Sequence, residues 1–351
     1  MQRRDFLRLG LGAALLPGLR GMARAQTPTP ALAATSPPAP VPPLTPSAIE
    51  SLGADRLLGR VVAAGDLIPA GMTLASNREA LPDQRVRARL DAGLAALLGP
   101  EPWRQLAGRK DTVAIKVNGL GAPLLAPRPE LVRAIVAGVR SAGVPAERVI
   151  VWDRSTRELE RSGFPLQIAA GDVRVYGTDA LRGGGYTTEL ESFGEVGSFV
   201  TRIVAEYATV LINVGVLKDH DLAGVSACMK NLYGTIHNPN RYHDHGCDPY
   251  VAQVAALPSI RRRLKLTVID AVLGQAEGGP AYVAGWIWPC NRILLACDPV
   301  ACDQIAWDWI ERQRAAKGLP TLTEVKRAPH WIASAARLGL GRNRAVRVEE
   351  V

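Results

Sequence analysis

Residues 210–216 read Val-Leu-Ile-Asn-Val-Gly-Val, and Lys218, Asp219 and His220 follow at once. A run this short and this rich in branched apolar residues is a strand covered on both faces, too brief for an amphipathic helix or a membrane span. Strands buried on both faces belong to parallel sheets with helices above and below. Ligands in open sheets of that kind sit beyond the carboxyl ends of the strands. The chain is therefore expected to be α/β, with 218–220 forming one wall of a site. A helix-like segment should then lead to a second polar pair, Lys230 and Asn231, with His237 just beyond.

The same pattern recurs along the chain. Residues 111–117, 148–152, 264–269 and 292–296 are apolar runs that end at Lys116 and Asn118, at Asp153, at Asp270 and at Asp298. Pro129 opens a helix whose inward face is Leu131, Ile135, Val136 and Val139. The flanking strands then make a β-α-β unit with a right-handed crossover. Residues 172–176 read as another strand, 183–199 as a hairpin, and 345–348 as an edge strand. Helices are expected over 249–257, after Asp298-Pro299 and over 329–338. Between residues 48 and 108 the pattern is helical, with Val86, Leu90, Leu94, Leu97 and Leu98 in one stripe. The expected fold is a mostly parallel sheet flanked by helices. This is Rossmann-like layering, but no Gly-x-Gly-x-x-Gly follows any strand, there is no Walker loop, and Ser226 and Cys228 are not on a strand-to-helix elbow.

Before the fold begins, residues 1–25 read as an export signal. Arg3-Arg4-Asp5-Phe6-Leu7 resembles the twin-arginine motif, an interrupted apolar stretch follows, and Ala23-Arg24-Ala25 fits a cleavage site. The expected partner there is the twin-arginine export machinery, the expected location is periplasmic, and no membrane span is expected after cleavage. The five Arg and one Asp of this segment carry +4 of the formal +9, so +5 is left for the rest. That charge is scattered, and with 5% aromatics it argues against nucleic acid. Residues 26–47, rich in Pro, Ala and Thr, read as a disordered tether. A single α/β domain should fill 48–351.

Lysines decide the chemistry of the strand ends. Asp at such a place is often a plain helix cap, but Lys116, Lys218 and Lys230 are not cap residues. Two ammonium groups about 4 Å apart repel by roughly 4 kcal/mol, so convergent lysines need negative partners. Asp153, Asp270, Glu277 and Asp298 could supply them from within, and a small anionic ligand from outside. Separately, His243, His245 and Cys247 alternate along one stretch. In extended chain they would share a face and hold a divalent metal ion such as zinc or copper, with His220 or an Asp completing the set. The five cysteines, Cys228, Cys247, Cys290, Cys297 and Cys302, include no Cys-x-x-Cys, so no iron–sulfur cluster is written locally.

Taken together these residues resemble the family called domain of unknown function 362. The resemblance rests on Lys116 and Asn118, then Lys218 and His220, then Lys230, Asn231 and Gly234. It continues through a downstream His243 or His245, Asp270-Ala271, Gly278-Gly279-Pro280 and Asp298-Pro299-Val300-Ala301 with Asp303. It covers roughly residues 110–315. Some relatives carry ferredoxin-type cysteine repeats; this chain does not. The resemblance strengthens the site without naming a reaction.

Three functional readings follow. In the first, an exported enzyme or cofactor-dependent protein uses Lys218, His220 and Lys230 as acid, base or anion-binding groups. Lys116, Asn118, Asp153, Asn231, Asp270, Glu277, Asp298 and Asp303 then bind or orient the ligand. In the second, a periplasmic metal-binding or metallochaperone protein uses the His243-His245-Cys247 loop. In the third, scattered cysteines hold the iron–sulfur centre of a redox partner.

Overall fold

In the computed structural model the described residues are 42–351, apart from 77–78 and 170. The export signal and most of the tether lie outside them. From Pro40 onward the chain forms one contact unit. The last tether residues are not free. Thr45 O accepts from Arg261 Nε at 2.6 Å, Leu44 packs on the core, and Ser47 caps the Ala48–Leu52 turn.

Eleven strands form among the described residues: β1 (Arg60–Gly65), β2 (Val113–Lys116), β3 (Val149–Asp153), β4 (Arg174–Gly177), β5 (Glu191–Phe193), β6 (Val196–Ser198), β7 (Val210–His220), β8 (Gly224–Ser226), β9 (Leu264–Gln275), β10 (Ile287–Ala296) and β11 (Arg347–Glu350). The main sheet runs β11-β1-β10-β9-β7-β2-β3-β4, with β8 added along the far end of β7, while β5 and β6 make a separate hairpin. The block β9-β7-β2-β3-β4 is parallel, whereas β10 is antiparallel to both β9 and β1. The fold is α/β with a mostly parallel sheet, as the apolar runs predict.

Alternation along β7 explains its burial. Val210, Ile212, Val214 and Val216 join one core layer with Val86, Leu90 and Leu94 of the Asp83–Leu98 helix and Leu131 and Ile135 of the Pro129–Ser141 helix. Leu211 and Leu217 join the other, with Val300, Ile305 and Ile310 of the Pro299–Ala316 helix and Trp331. At roughly 1.5–3 kcal/mol for each large apolar side chain, this two-sided burial dominates the stability of the sheet.

Three expectations need correction. Residues 48–108 are not all helical, because Val61, Val62, Ala63 and Ala64 lie in β1, fully inside the sheet. Alanines there suit either element, and pairing with β10 decides. The stretch after His220 is not a helix with a free N-terminus; it turns back as β8 and continues as a 3-10 segment, Met229–Thr235. The run 292–296 is the end of a longer strand, and it is antiparallel.

Candidate functional site

The chain lays down β2, β3 and β4 in one direction across the sheet, then returns to place β7 on the other side of β2. The strand order therefore reverses between β2 and β7, and the carboxyl ends of two such strands part to leave a crevice. Lys116 ends β2, paired in register with Asn213, while β7 runs on past it to His220. A cleft of about 360 Å³ opens there, lined among others by Lys116, Asn118, Asp153, His220, Lys230 and Asn231. That is within the usual size of a small-molecule site.

The 3-10 segment that carries Lys230 and Asn231 is pinned to the sheet from below. Gly215 on β7 allows it: a Cβ there would overlap the carbonyl of Ala227. Asn213 Nδ2 donates to Cys228 O at 2.8 Å, and Asn213 Oδ1 accepts from Asn231 Nδ2 at 2.8 Å. Asp303 accepts the backbone N–H groups of Cys228 and Met229 at 2.7 and 2.9 Å. Burial nevertheless raises the Asp303 carboxyl to about 7.

Lys116 is committed internally. Its Nζ donates to Val117 O, to Asp153 Oδ1 at 2.6 Å and to Asn231 Oδ1 at 3.0 Å, with both ion-pair partners buried. Asp153 Oδ2 also accepts from Gly119 N at 2.7 Å. A Cβ at position 234 would lie 2.6 Å from Lys116 Cε, so glycine is required where the segment crosses the lysine.

Lys230 is differently placed. Its Nζ lies 3.1 Å from His243 Nε2 and 3.9 Å from the centre of the Tyr233 ring. His243 Nδ1 is 3.0 Å from Pro239 O, a contact only an N–H can make, so Nε2 is the acceptor toward Lys230. Burial lowers Lys230 to about 8 and, with Lys230 beside it, lowers His243 below the ordinary histidine range. His220 stacks near His243, with ring centres 6.0 Å apart. Its Nδ1 accepts from Leu222 N and Ala223 N at 3.2 and 3.3 Å, which puts the proton on Nε2. Asp221 Oδ1 stands 2.8 Å from the same Nδ1, a contact that favours an imidazolium. Burial and the neighbouring Lys230 outweigh it and push His220 down to about 2, so the ring is neutral.

Lys218 is fully enclosed behind the cleft rather than lining it. Its Nζ makes no hydrogen bond among the described residues, and burial lowers it to about 8 against the pull of Asp153, Asp219 and Glu158. No carboxylate lies within 4 Å of either the Lys218 or the Lys230 ammonium among those residues. Glu158, which does line the cleft, is raised by burial and by Asp153.

Other expected members stand elsewhere. Asp270 accepts Arg128 N at 2.7 Å, at the start of the Pro129–Ser141 helix, and burial raises it. Asp298 is a helix cap: it accepts Ala301 N at 2.9 Å and ties down Gly59 N and Arg342 N. Asp303 positions the 3-10 segment without reaching the cleft. Glu277 pairs with Arg314 and with Arg327, which also holds Asp219. Asp219 Oδ1 accepts Gly279 N at 2.7 Å, so the Gly278-Gly279-Pro280 stretch buttresses the turn after β7.

The expected metal set does not assemble. Residues 244–247 form a tight turn with His245 and Gly246 in left-handed conformation, not an extended chain. His245 is exposed, Cys247 is buried, and its Sγ faces His243 O at 3.9 Å. No group of three His, Cys, Asp or Glu side chains suited to a metal occurs among the described residues. The five cysteines are free thiols.

Three residues escape a reading of strand ends: Asn213 beneath the cleft, and Glu158 and Tyr233 on its lining. Asn213 sits inside an apolar run, and its one polar side chain at a doubly buried position is the signal that was there to use. Glu158 and Tyr233 carry no sequence mark that separates them from ordinary helix and core residues.

A family model described as "Domain of unknown function (DUF362)" matches residues 113–308, more than half of the 351-residue chain. The chain belongs to the DUF362 family. Every cleft residue discussed here falls inside the matched region. No curated protein matches the chain. One similar solved structure is a crystal structure of a Thermotoga maritima protein from a structural genomics consortium, at 11% identity and a TM-score of 0.39. The match covers 68% of this chain and 60% of that one, so the chain spans less than two thirds of that protein.

Proposed function

We propose that this DUF362 protein is exported and holds a small anionic ligand in the cleft between the ends of β2 and β7. The observation that carries this reading is the pair of cations, Lys218 and Lys230, without a carboxylate partner beside a cleft at the reversal of strand order. Buried charge without a counter-charge is costly, and an anion in the cleft offsets that cost. Lys116 keeps Asp153 and sets the floor. His243 and Lys230 are the proton-transfer groups on the cleft, and neutral His220 offers its Nε2–H as a hydrogen bond. The domain that does this runs from residue 48 to the end, after a twin-arginine signal and a tether.

The test is calorimetric titration of the mature protein with phosphate and with short carboxylates. Lys230→Met should lower the affinity of the best anion at least ~10-fold, the scale of one charge-assisted hydrogen bond. Unchanged affinity in that variant removes the cleft assignment. Export is tested by replacing Arg3 and Arg4 with Lys: the protein should stay in the cytoplasm, and continued export of the variant refutes the twin-arginine route.

A metal-centred reading has less support, because Lys230 Nζ occupies the space beside His243 Nε2 and His245 is exposed on a left-handed turn.

A further inference from the structure

We infer that Lys230 is an imine-forming amine and that the anion is a small 2-oxo carboxylate. This rests on the anion-binding reading above and adds a covalent step to it. Of the three lysines at this end of the sheet, Lys116 has all its donors engaged and Lys218 is sealed off. Lys230 lines the cleft without a carboxylate partner, and its polar neighbour is a ring nitrogen placed to receive a proton. A lysine meant only to hold charge is best served by carboxylate or carbonyl neighbours. A lysine meant to attack must first lose a proton, and His243 Nε2 lies in the right place to take it. Burial lowers Lys230 to about 8, so an appreciable fraction is the free amine near neutral pH.

The step balances without a redox partner. The Nζ lone pair forms a bond to the carbonyl carbon, and the carbonyl π pair moves onto oxygen, which takes a proton to give a carbinolamine. That proton is the one His243 Nε2 took from the ammonium, and once it is given up His243 Nε2 takes a proton from the nitrogen. The C–O bond then breaks, the hydroxyl leaves as water after receiving a proton, and a protonated imine remains. His220, whose Nε2 carries hydrogen, offers a hydrogen bond to the oxygen on the same cleft without giving up its proton. The carboxylate of the ligand is met by Arg154 on the lining, while the enclosed Lys218 charge attracts it through the wall without contact.

The experiment is reductive trapping of the whole protein with pyruvate and cyanoborohydride, read by peptide mass mapping, with anion binding measured in parallel. Trapping at Lys230 should exceed that at exposed Lys110 and Lys317 by at least ~10-fold, disappear in Lys230→Arg, and slow in His243→Gln. Label spread evenly over the lysines overturns the inference, whether or not either variant folds, because it is read on the unmodified protein. Lactate, which lacks the carbonyl, separates the two claims. If pyruvate and lactate both bind and nothing is trapped, the imine fails while the anion site stands. If neither binds, both fail.

Discussion

Lys116 Nζ stands 2.6 Å from Asp153 Oδ1, and both side chains are buried where β2 and β3 end side by side. A pair of this kind is a poor source of net stability but a costly one to break, since the survivor is left as an unmatched charge. Asp153→Ala should therefore lower stability by about 3–5 kcal/mol. Replacing both residues by Met and Leu should recover most of that loss. Urea unfolding of the single and double variants decides; a single variant within experimental error of the parent contradicts the role given to the pair.

Lys218 invites the opposite expectation. Lowered to about 8 from 10.5, it favours the neutral form in the folded chain more than in the unfolded one. The folded state then binds fewer protons between those values, and stability rises as pH climbs through that window. Near neutral pH the ammonium carries a penalty on the order of 3 kcal/mol. Lys218→Met should melt higher than the parent at neutral pH and show no such rise in the alkaline range. Lys218→Ala is a different case, because it opens a cavity in a fully enclosed position, so a silent effect on melting is not expected of it. A Met variant that melts well below the parent would show that the ammonium is satisfied after all.

For Asp303 the sign reverses. The folded chain raises it from 3.8 to about 7, so between those values the folded state holds a proton that the unfolded state releases. Stability falls as pH rises through that range and is flat above it. Asp303→Asn should abolish this slope. It should also loosen the 3-10 segment, since Asn offers one carbonyl where the carboxyl met two N–H groups. Denaturant midpoints near the acidic and neutral ends of the window, compared between parent and variant, provide the measurement; parallel pH profiles for the two proteins would sink the assignment.

His243 and His245 should separate cleanly. His243→Ala should weaken ligand binding and change its pH dependence, because it removes the ring nitrogen that accepts from Lys230 Nζ. His245→Ala, at an exposed turn position, should change neither. Equal losses in the two variants, accompanied by loss of stoichiometric metal, would restore the metal reading of this loop.

Gly215→Ala tests the close approach between sheet and segment. The added methyl meets the Ala227 carbonyl, which is backbone and cannot swing aside. A destabilisation of about 1–3 kcal/mol is expected, together with loss of anion affinity although position 215 does not line the cleft. Retained affinity with lowered stability would show that the segment finds its place without the glycine.

Much of the fold is legible because apolar runs and turn residues act locally. The strands at 111–117, 148–152 and 264–269 and the helices after Pro129 and Pro299 all announce themselves this way. Strand β1 does not, since Val61–Ala64 suits either element and pairing with β10 decides. At the site, Lys116 and His220 meet as strand ends should, because the parallel sheet carries them to one rim, while Lys230 and Asn231 come to it on the 3-10 segment. Asp270, Asp298 and Glu277 are equally polar and end equally apolar runs or loops. Which way each side chain turns depends on the backbone N–H groups and arginines nearby in space, such as Arg128 N for Asp270, and these lie far off in the chain. His245 and Cys247 misled for a simpler reason: shared facing needs an extended backbone, and a left-handed turn intervenes.

Strand β7 is 11 residues long, yet its neighbour β2 pairs with only its first four. Its inner half is thus bolted into the sheet between β2 and β9 while its outer half runs on like a jetty, moored along one edge by β8 and along the other by β9 as far as Gln275. A side chain at the end of such a jetty inherits the stiffness of the whole core. Divergence in what DUF362 proteins accept should therefore be sought in the loops that border this projection, around Leu120, Leu222 and Asn240, rather than along the strand itself.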